Sequence, residues 1–326
     1  MTKKKISDII KKICTEEEEY PVNTLLYFVS QYINNRKERI CYSTYKRYKV
    51  FRNLIARFEG FIKNRITISN VNCEFVQNFI LFCKQEYYNE NTIYRSLNFI
   101  KTILNFVEKK GIATSIREFE FKRIKEEKEV ITLSEEEITS IKKTKIPAAL
   151  KDSKDWLLIS CYTGQRISDF MNFTNDKLLE IDGRLCINFI QQKTNKKILL
   201  PLHPAVIEII KSNNNSFPKL INAQLYNKNI KKIGKLAQIN EAIKAKKRIG
   251  HRAESLLVEK WEILTSHIGR RSFATNFYGK IPTSLLISAT GHATEQMFLN
   301  YINPLDKDQI LCLSNYFDTI YNQQLS

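Results

Sequence analysis

From Val22 to Gly111 the apolar side chains return every three or four residues, a spacing that commits the first half of the chain to helices rather than strands. Leu25, Leu26, Phe28, Val29 and Ile33 define one amphipathic helix. A second begins at Ser43 and places Tyr45, Tyr48, Phe51, Leu54, Ile55 and Phe58 on its apolar side. Asn70 stands where it can cap a third helix, which carries Phe75, Val76, Phe79, Ile80 and Phe82. The fourth starts near Asn91 and carries Ile93, Leu97, Ile100, Ile103, Leu104 and Val107 before Gly111 ends it. Four helices with short connections predict a compact all-α domain. Its polar faces hold Lys46, Arg47, Lys49, Arg52, Arg95 and Lys101, interleaved with Tyr42, Tyr45, Tyr48 and Tyr94. These are candidates for phosphate and sugar contact, or else an ordinary solvated face; cations of this kind supply affinity, not sequence choice.

The pattern then changes. Residues 114–130 are charged with little periodicity and mark a linker, and Ser134 with Glu137 forms a capping-box pattern that opens a second domain. An apolar helix over Asp152–Tyr162 ends at Thr163–Gly164, which places Arg166 at the rim of the domain interior, where its planar fork suits a phosphate. Ser168 can cap the following helix, with Asp169 close by to orient the arginine or to favour the helix N-terminus; a plain pairing of Arg166 with Asp169 or a carbonyl is equally compatible with the local sequence. Strand-like segments at Lys177–Ile181, Leu185–Gln191 and Ile198–Leu202 enclose the turn KTNKK, a hairpin with a lysine-rich tip. Lys193 opens that tip and is a candidate general acid, with Lys196 and Lys197 as competitors and a solvated turn lysine as the plain alternative. Helices follow from Pro204 and over Tyr226–Ala237, the latter with Ile230, Ile233 and Leu236 apolar. Residues 241–263, which include His251, form a basic surface excursion ending in short strand-like pieces.

Ser266–Tyr301 concentrates the chemistry. Thr265 or Ser266 can cap a helix in which His267 and Arg270 share a face, although Arg271 also falls near His267 and spacing does not choose between the two arginines. Pro282 starts a helix that ends at Gly291, His292 follows, and Thr294 can cap a short helix bearing Tyr301.

Charge narrows the partner. There are 52 Lys+Arg against 34 Asp+Glu, a formal net charge of +18, which favours a polyanion because neutralised phosphates release counterions. An anionic membrane surface as the partner, or a merely lysine-rich, AT-biased composition, are the alternative readings of that charge. Seven cysteines are scattered without a CxxC pair, so neither a zinc site nor a disulfide framework is signalled, and a reducing cytoplasmic setting is expected. The N-terminus lacks the apolar core of a secretory signal, and no 18-residue apolar run spans a membrane.

TGQRISD, QQKTNKK, HIGRR, ATGH and Tyr301, in that order, resemble the tyrosine recombinase (phage integrase) family across both halves of the chain. The style of HIGRRSFATN looks more narrowly like integrases of Bacteroidetes mobile elements. The resemblance implies a mainly α fold with a small antiparallel sheet: a helical core-binding (SAM-like) domain over 21–112, a linker over 113–131, and a mixed α+β catalytic domain over 132–326. A short extension (1–20) precedes them, and a subunit-exchange helix at about 305–323 ends the chain. It matches Arg166, Lys193, His267, Arg270, His292 and the nucleophile Tyr301 to the family's catalytic set, with Asp169 in support, and by analogy selects Arg270 over Arg271. Implied in turn are cofactor-free and metal-free cleavage through a 3′-phosphotyrosine, double-stranded DNA recombination sites as partners, and a homo-tetramer on DNA. A bacterial cytoplasmic, nucleoid-associated location goes with that function. A non-catalytic basic architectural protein and a type IB topoisomerase are the rival expectations.

Overall fold

The apolar periodicity of the first half becomes helices α1 (Leu25–Arg36), α2 (Tyr42–Ile62), α3 (Cys73–Gln85) and α4 (Glu90–Glu108). The structure, a computed structural model, describes residues 20–122, 124, 130–249, 252–302, 314, 317 and 318. The chain divides into two compact units, Met1–Glu127 with Arg248–Glu254, and Lys128–Lys247 with Ser255–Ser326. The extension at 1–19, His251 and most of the C-terminal segment lie outside the described residues.

In the first unit Thr24, Asn72 and Asn89 cap α1, α3 and α4 by accepting from the backbone N–H groups of Tyr27, Phe75 and Thr92. Asn70 therefore does not cap α3. Burial of Ile68 and Val71 draws Ile68–Asn70 into a 3-10 turn, and the α-helix starts only after it. The core is aromatic: Phe58 meets Phe75, Phe79 and Phe82 at ring-centroid distances of 5.7, 5.3 and 5.3 Å. Tyr48 stacks on Phe99 at 4.8 Å, so this tyrosine packs against the core and is not a free polar face. Phe119, inside the charged stretch that composition marks as linker, is fully buried and packs beside Phe75 and Phe121.

The second unit is built around one buried helix. The capping box of Ser134 and Glu137 forms as expected and starts α5 (Glu135–Lys143). Helix α6 (Lys151–Thr163) buries Trp156, Leu157, Leu158 and Ile159, and the Trp156 indole donates to the Lys219 carbonyl. The short α7 (Ile167–Phe170) leads to an antiparallel sheet of β1 (Leu178–Ile181), β2 (Arg184–Ile190) and β3 (Lys197–Pro201) in the order β1-β2-β3. Ile190 pairs with Lys197, so residues 191–196 form the tip between β2 and β3. Helices α8 (Pro204–Ser212) and α9 (Ala223–Leu236) pack on α6, with Ile230 and Ile233 inward but Leu236, at the helix end, 48% exposed. The excursion at 241–263 is more regular than expected, a two-stranded sheet of β4 (Ala242–Ile249) and β5 (Arg252–Glu259). Lys260, just beyond β5, is buried and pairs with Glu137 and Glu241 at 2.9 and 3.0 Å. Helices α10 (Ile268–Phe277), α11 (Thr283–Thr290) and α12 (Glu295–Leu299) complete the unit. Among the described residues, no helix is long and apolar enough to cross a membrane.

Candidate active site

Helix α6 ends because Gly164 adopts a left-handed conformation (φ 66°), a reversal after which Gln165 is fully buried and Arg166 only partly so. A Cβ at Gly164 would also lie 2.5 Å from the Phe273 ring. Arg166 is half-buried and occupies the cap position of α7 without a side-chain cap bond; Ser168 lies inside that helix and does not cap it. The guanidinium donates to Gln191 Oε1 at 3.1 Å. Asp169, the expected companion of Arg166, instead accepts from the Gln192 backbone N–H at 2.9 Å and so holds the hairpin tip.

Lys193 is exposed on that tip. Of its competitors, Lys196 is committed to the His292 carbonyl at 2.9 Å, and Lys197 enters β3. His267 sits at the N-cap of α10. Neither Thr265 nor Ser266 caps that helix, whose first turn begins one residue later; the Ser266 N–H donates to Asn227 Oδ1 and the Ile268 N–H donates to the Thr265 carbonyl. Partial burial, and then the charges of Arg271, Arg270, Arg166 and Lys193, push the His267 pKa down, although part of its ring meets solvent. Those same charges locate Lys193 and both motif arginines in one electrostatic neighbourhood.

Arg270 is fully buried and Arg271 is not, which separates the pair that spacing left open. Arg270 donates to the Gly164 carbonyl at 2.9 Å and to His292 Nε2 at 2.9 Å, and its guanidinium lies 5.4 Å from the Tyr301 ring centroid. Its Nε–H has no hydrogen-bond partner, and among the described residues neither Arg166 nor Arg270 forms a salt bridge. Burial, and then the neighbouring Arg166 charge, push its pKa down to about 10, so it remains a cation at neutral pH.

His292 follows Gly291, whose φ of 70° ends α11, and is buried. Because a guanidinium only donates, Nε2 must accept from Arg270 and the ring proton belongs on Nδ1. Thr290 Oγ1, 2.8 Å from Nδ1, accepts that proton and itself donates to the Leu286 carbonyl. Burial, then Arg270, Arg166 and Lys196, push the His292 pKa down to about 3, consistent with a neutral ring. Thr294 caps α12 as expected, but Tyr301 lies in the turn just after that helix rather than within it, its ring 4.8 Å from that of His292. Arg166, Arg270, His292 and Tyr301 thus converge, with His267 and Lys193 at the rim.

Sequence reasoning passed over Gln165 and Gln191, both fully buried and both inside the motifs that drew attention to their charged neighbours. An uncharged amide carries no reactivity signal in a sequence.

The sequence matches the Phage integrase family over residues 126–308 and the Phage integrase SAM-like domain over residues 24–123. The chain belongs to the phage integrase family. It is a tyrosine recombinase, an enzyme of site-specific DNA recombination. Its fold is that of the Tn1549 transposon integrase in complex with a circular intermediate DNA (15% identity, 90% of this chain and 99% of that one, TM-score 0.65). It is shared by a lambda integrase dimer bound to a core site (14%, 85% and 95%, TM-score 0.64) and by the XerH recombinase bound to a palindromic difH substrate (17%, 88% and 94%, TM-score 0.62). No curated protein matches in sequence. In this recombinase the six basic candidates of the first half sit on α2 and α4, away from the convergent set in sequence and in a separate unit. Lys46 and Lys49 lie over the Tyr42 and Tyr45 rings, at 4.6 and 4.8 Å from the centroids. Arg52 is half-buried, and Arg47, Arg95 and Lys101 are exposed.

Proposed function

We propose that the recombinase cleaves and rejoins DNA through Tyr301, with Arg166 and Arg270 binding the scissile phosphate. The observation that carries this reading is Arg270: a fully buried cation that forms no salt bridge among the described residues, with only the unpaired Asp169 carboxylate opposing the repulsion from Arg166, and with the Tyr301 ring beside it. Burying such a charge unpaired costs several kcal/mol, and an arriving phosphate diester would supply the missing anion. The Tyr301 phenol oxygen attacks phosphorus and the bond from phosphorus to the 5′ oxygen breaks, leaving a 3′-phosphotyrosine and a 5′-hydroxyl. The arginines stabilise charge on the non-bridging oxygens as it develops. Lys193 donates a proton to the departing 5′ oxygen, and neutral His267 takes up the phenolic proton. His292 positions Arg270 through Nε2. Attack by a 5′-hydroxyl reverses the step and conserves the bond energy.

The remaining assignments belong to the same proposal. The domains run 21–112 and 132–326 with a linker between, and Lys46, Arg47, Lys49, Arg52, Arg95 and Lys101 contact the DNA backbone. Four copies assemble on paired sites through C-terminal helix exchange, on a mobile element. The Tn1549, lambda and XerH structures support this reading as integrases or recombinases bound to DNA, one of them a lambda integrase tetramer on a Holliday junction.

Nicked suicide duplexes tiled across the DNA flanking the gene should trap a covalent adduct with the wild-type protein, and Tyr301→Phe should form none. Arg270→Ala should slow trapping by about 10²-fold or more, whereas Arg271→Ala should slow it far less. An adduct with Tyr301→Phe would refute the nucleophile assignment.

A further inference from the structure

Gln191 is fully buried and its side-chain amide makes four hydrogen bonds. Its side-chain amide donates to Gln165 Oε1 at 3.1 Å and to the Thr290 carbonyl at 2.9 Å, while Oε1 accepts from Arg166 at 3.1 Å and from Thr194 at 2.6 Å. Four partners come from four places: the end of α6, the start of α7, the hairpin tip and the end of α11. Gln165 is fixed in its own right, since its amide nitrogen donates to the Thr163 and Ala289 carbonyls and only its oxygen is left to face Gln191. Inverting either amide would set donors against donors and acceptors against acceptors, so the network admits one orientation. Gly291 makes room for it, because a Cβ there would lie 2.5 Å from Gln191 Oε1.

We infer that Gln191 is a positioning residue that couples Arg166 to the lysine-bearing tip through a single oxygen atom. Arg166 and Thr194, the residue that follows Lys193 on the tip, are bonded to the same acceptor. The Thr290 carbonyl, two residues before His292, is tied to the amide on its other side. A shift of the tip therefore displaces the Arg166 guanidinium, and the reverse. For its chemical consequence this inference rests on the recombinase reading of the site.

The test compares Gln191→Met, which keeps side-chain length and loses all four bonds, with Thr194→Val, which loses only the tip bond, and with Lys193→Ala. The probes are the nicked duplex that traps the wild-type protein and the same duplex with sulfur at the 5′-bridging position, whose thiolate leaves without a proton. Lys193→Ala and Thr194→Val should be slow on the oxygen duplex and recover on the sulfur duplex. Gln191→Met should be slower by about tenfold or more on both, with duplex affinity within about threefold, because misplacing a positioned group affects the reacting state more than binding. Full recovery of Gln191→Met on sulfur, or wild-type cleavage of the oxygen duplex by it, overturns the coupling. Should Gln191→Met not fold, wild-type cleavage by Thr194→Val, at an exposed position, overturns it as well.

A DNA-free arm separates this inference from the function reading. Hydrogen exchange in Gln191→Met should quicken together in peptides spanning 189–197 and 288–293 and remain unchanged across α6. No change in either peptide overturns the inference, whereas failure of the wild-type protein to form any adduct rejects the recombinase chemistry and leaves the exchange result standing.

Discussion

At the scale of the residue, the site is governed by two arginines that form no salt bridge among the described residues, the buried Asp169 carboxylate helping to keep Arg270 cationic from a distance. Arg270 has surrendered its hydration to a carbonyl, an imidazole and an aromatic face, and neutral donors and acceptors do not replace a carboxylate. His292 stays neutral in consequence, since a buried ring accepting from Arg270 and lying in the field of Arg166 does not readily become a cation. The sign of the resulting pH dependence follows from linkage. With the folded pKa pushed down to about 3 against an ordinary 6.5, the unfolded chain takes up a proton first as pH falls. Stability is therefore full above about pH 6.5 and is lost as pH drops below it, by about 2 kcal/mol between pH 6.5 and about pH 5 from this ring alone. Denaturant unfolding of wild type and His292→Gln across that window should show the wild type losing the larger amount. A difference between them that does not vary with pH would mean His292 is not held neutral by folding.

At the scale of the element, close approach of α6 and α10 sets the position of Arg270. Gly269 permits it: a Cβ there would lie 1.9 Å from Ser160 Oγ and 2.8 Å from the Ser160 carbonyl carbon, and backbone cannot yield as a side-chain tip can. Gly269→Ala should destabilise the protein by about 3 kcal/mol and, by displacing α10, suppress adduct formation. Gly60, inside α2 with open space around its absent Cβ, predicts the opposite sign. Gly60→Ala should stabilise by about 0.5–1 kcal/mol, measured in the same denaturant titration. The start of each helix also belongs to this scale. Three of the expected caps do not serve: Ile68 and Val71 are buried around Asn70, the helix after Gly164 begins at Arg166 before Ser168, and the helix bearing Arg270 begins at His267 after Ser266.

At the scale of the whole molecule, a net charge of +18 makes affinity for DNA a salt-dependent quantity. Replacing Lys46 and Lys49 together with alanine should weaken binding about equally for all sequences and lower the slope of log affinity against log salt by about 2. Fluorescence anisotropy on flanking-site and unrelated duplexes measures both. An unchanged slope would return these lysines, seated over Tyr42 and Tyr45, to the role of a solvated helix face.

Periodicity, the capping box at Ser134–Glu137, the helix-ending glycines and the order of the charged motifs are local properties, so the helices and the hairpin were legible in the sequence, and the family resemblance supplied the candidate catalytic set. Three matters were decided only in three dimensions. Phe119 joins the first core although its neighbours are charged, because burial depends on what a side chain can reach and not on local composition. Arg270 is distinguished from Arg271 by which side of α10 faces α6 and Gly164. Gln165 and Gln191 acquire their importance from partners up to 124 residues away, since an amide's role is set by what its donors and acceptor meet, and only folding brings those groups together.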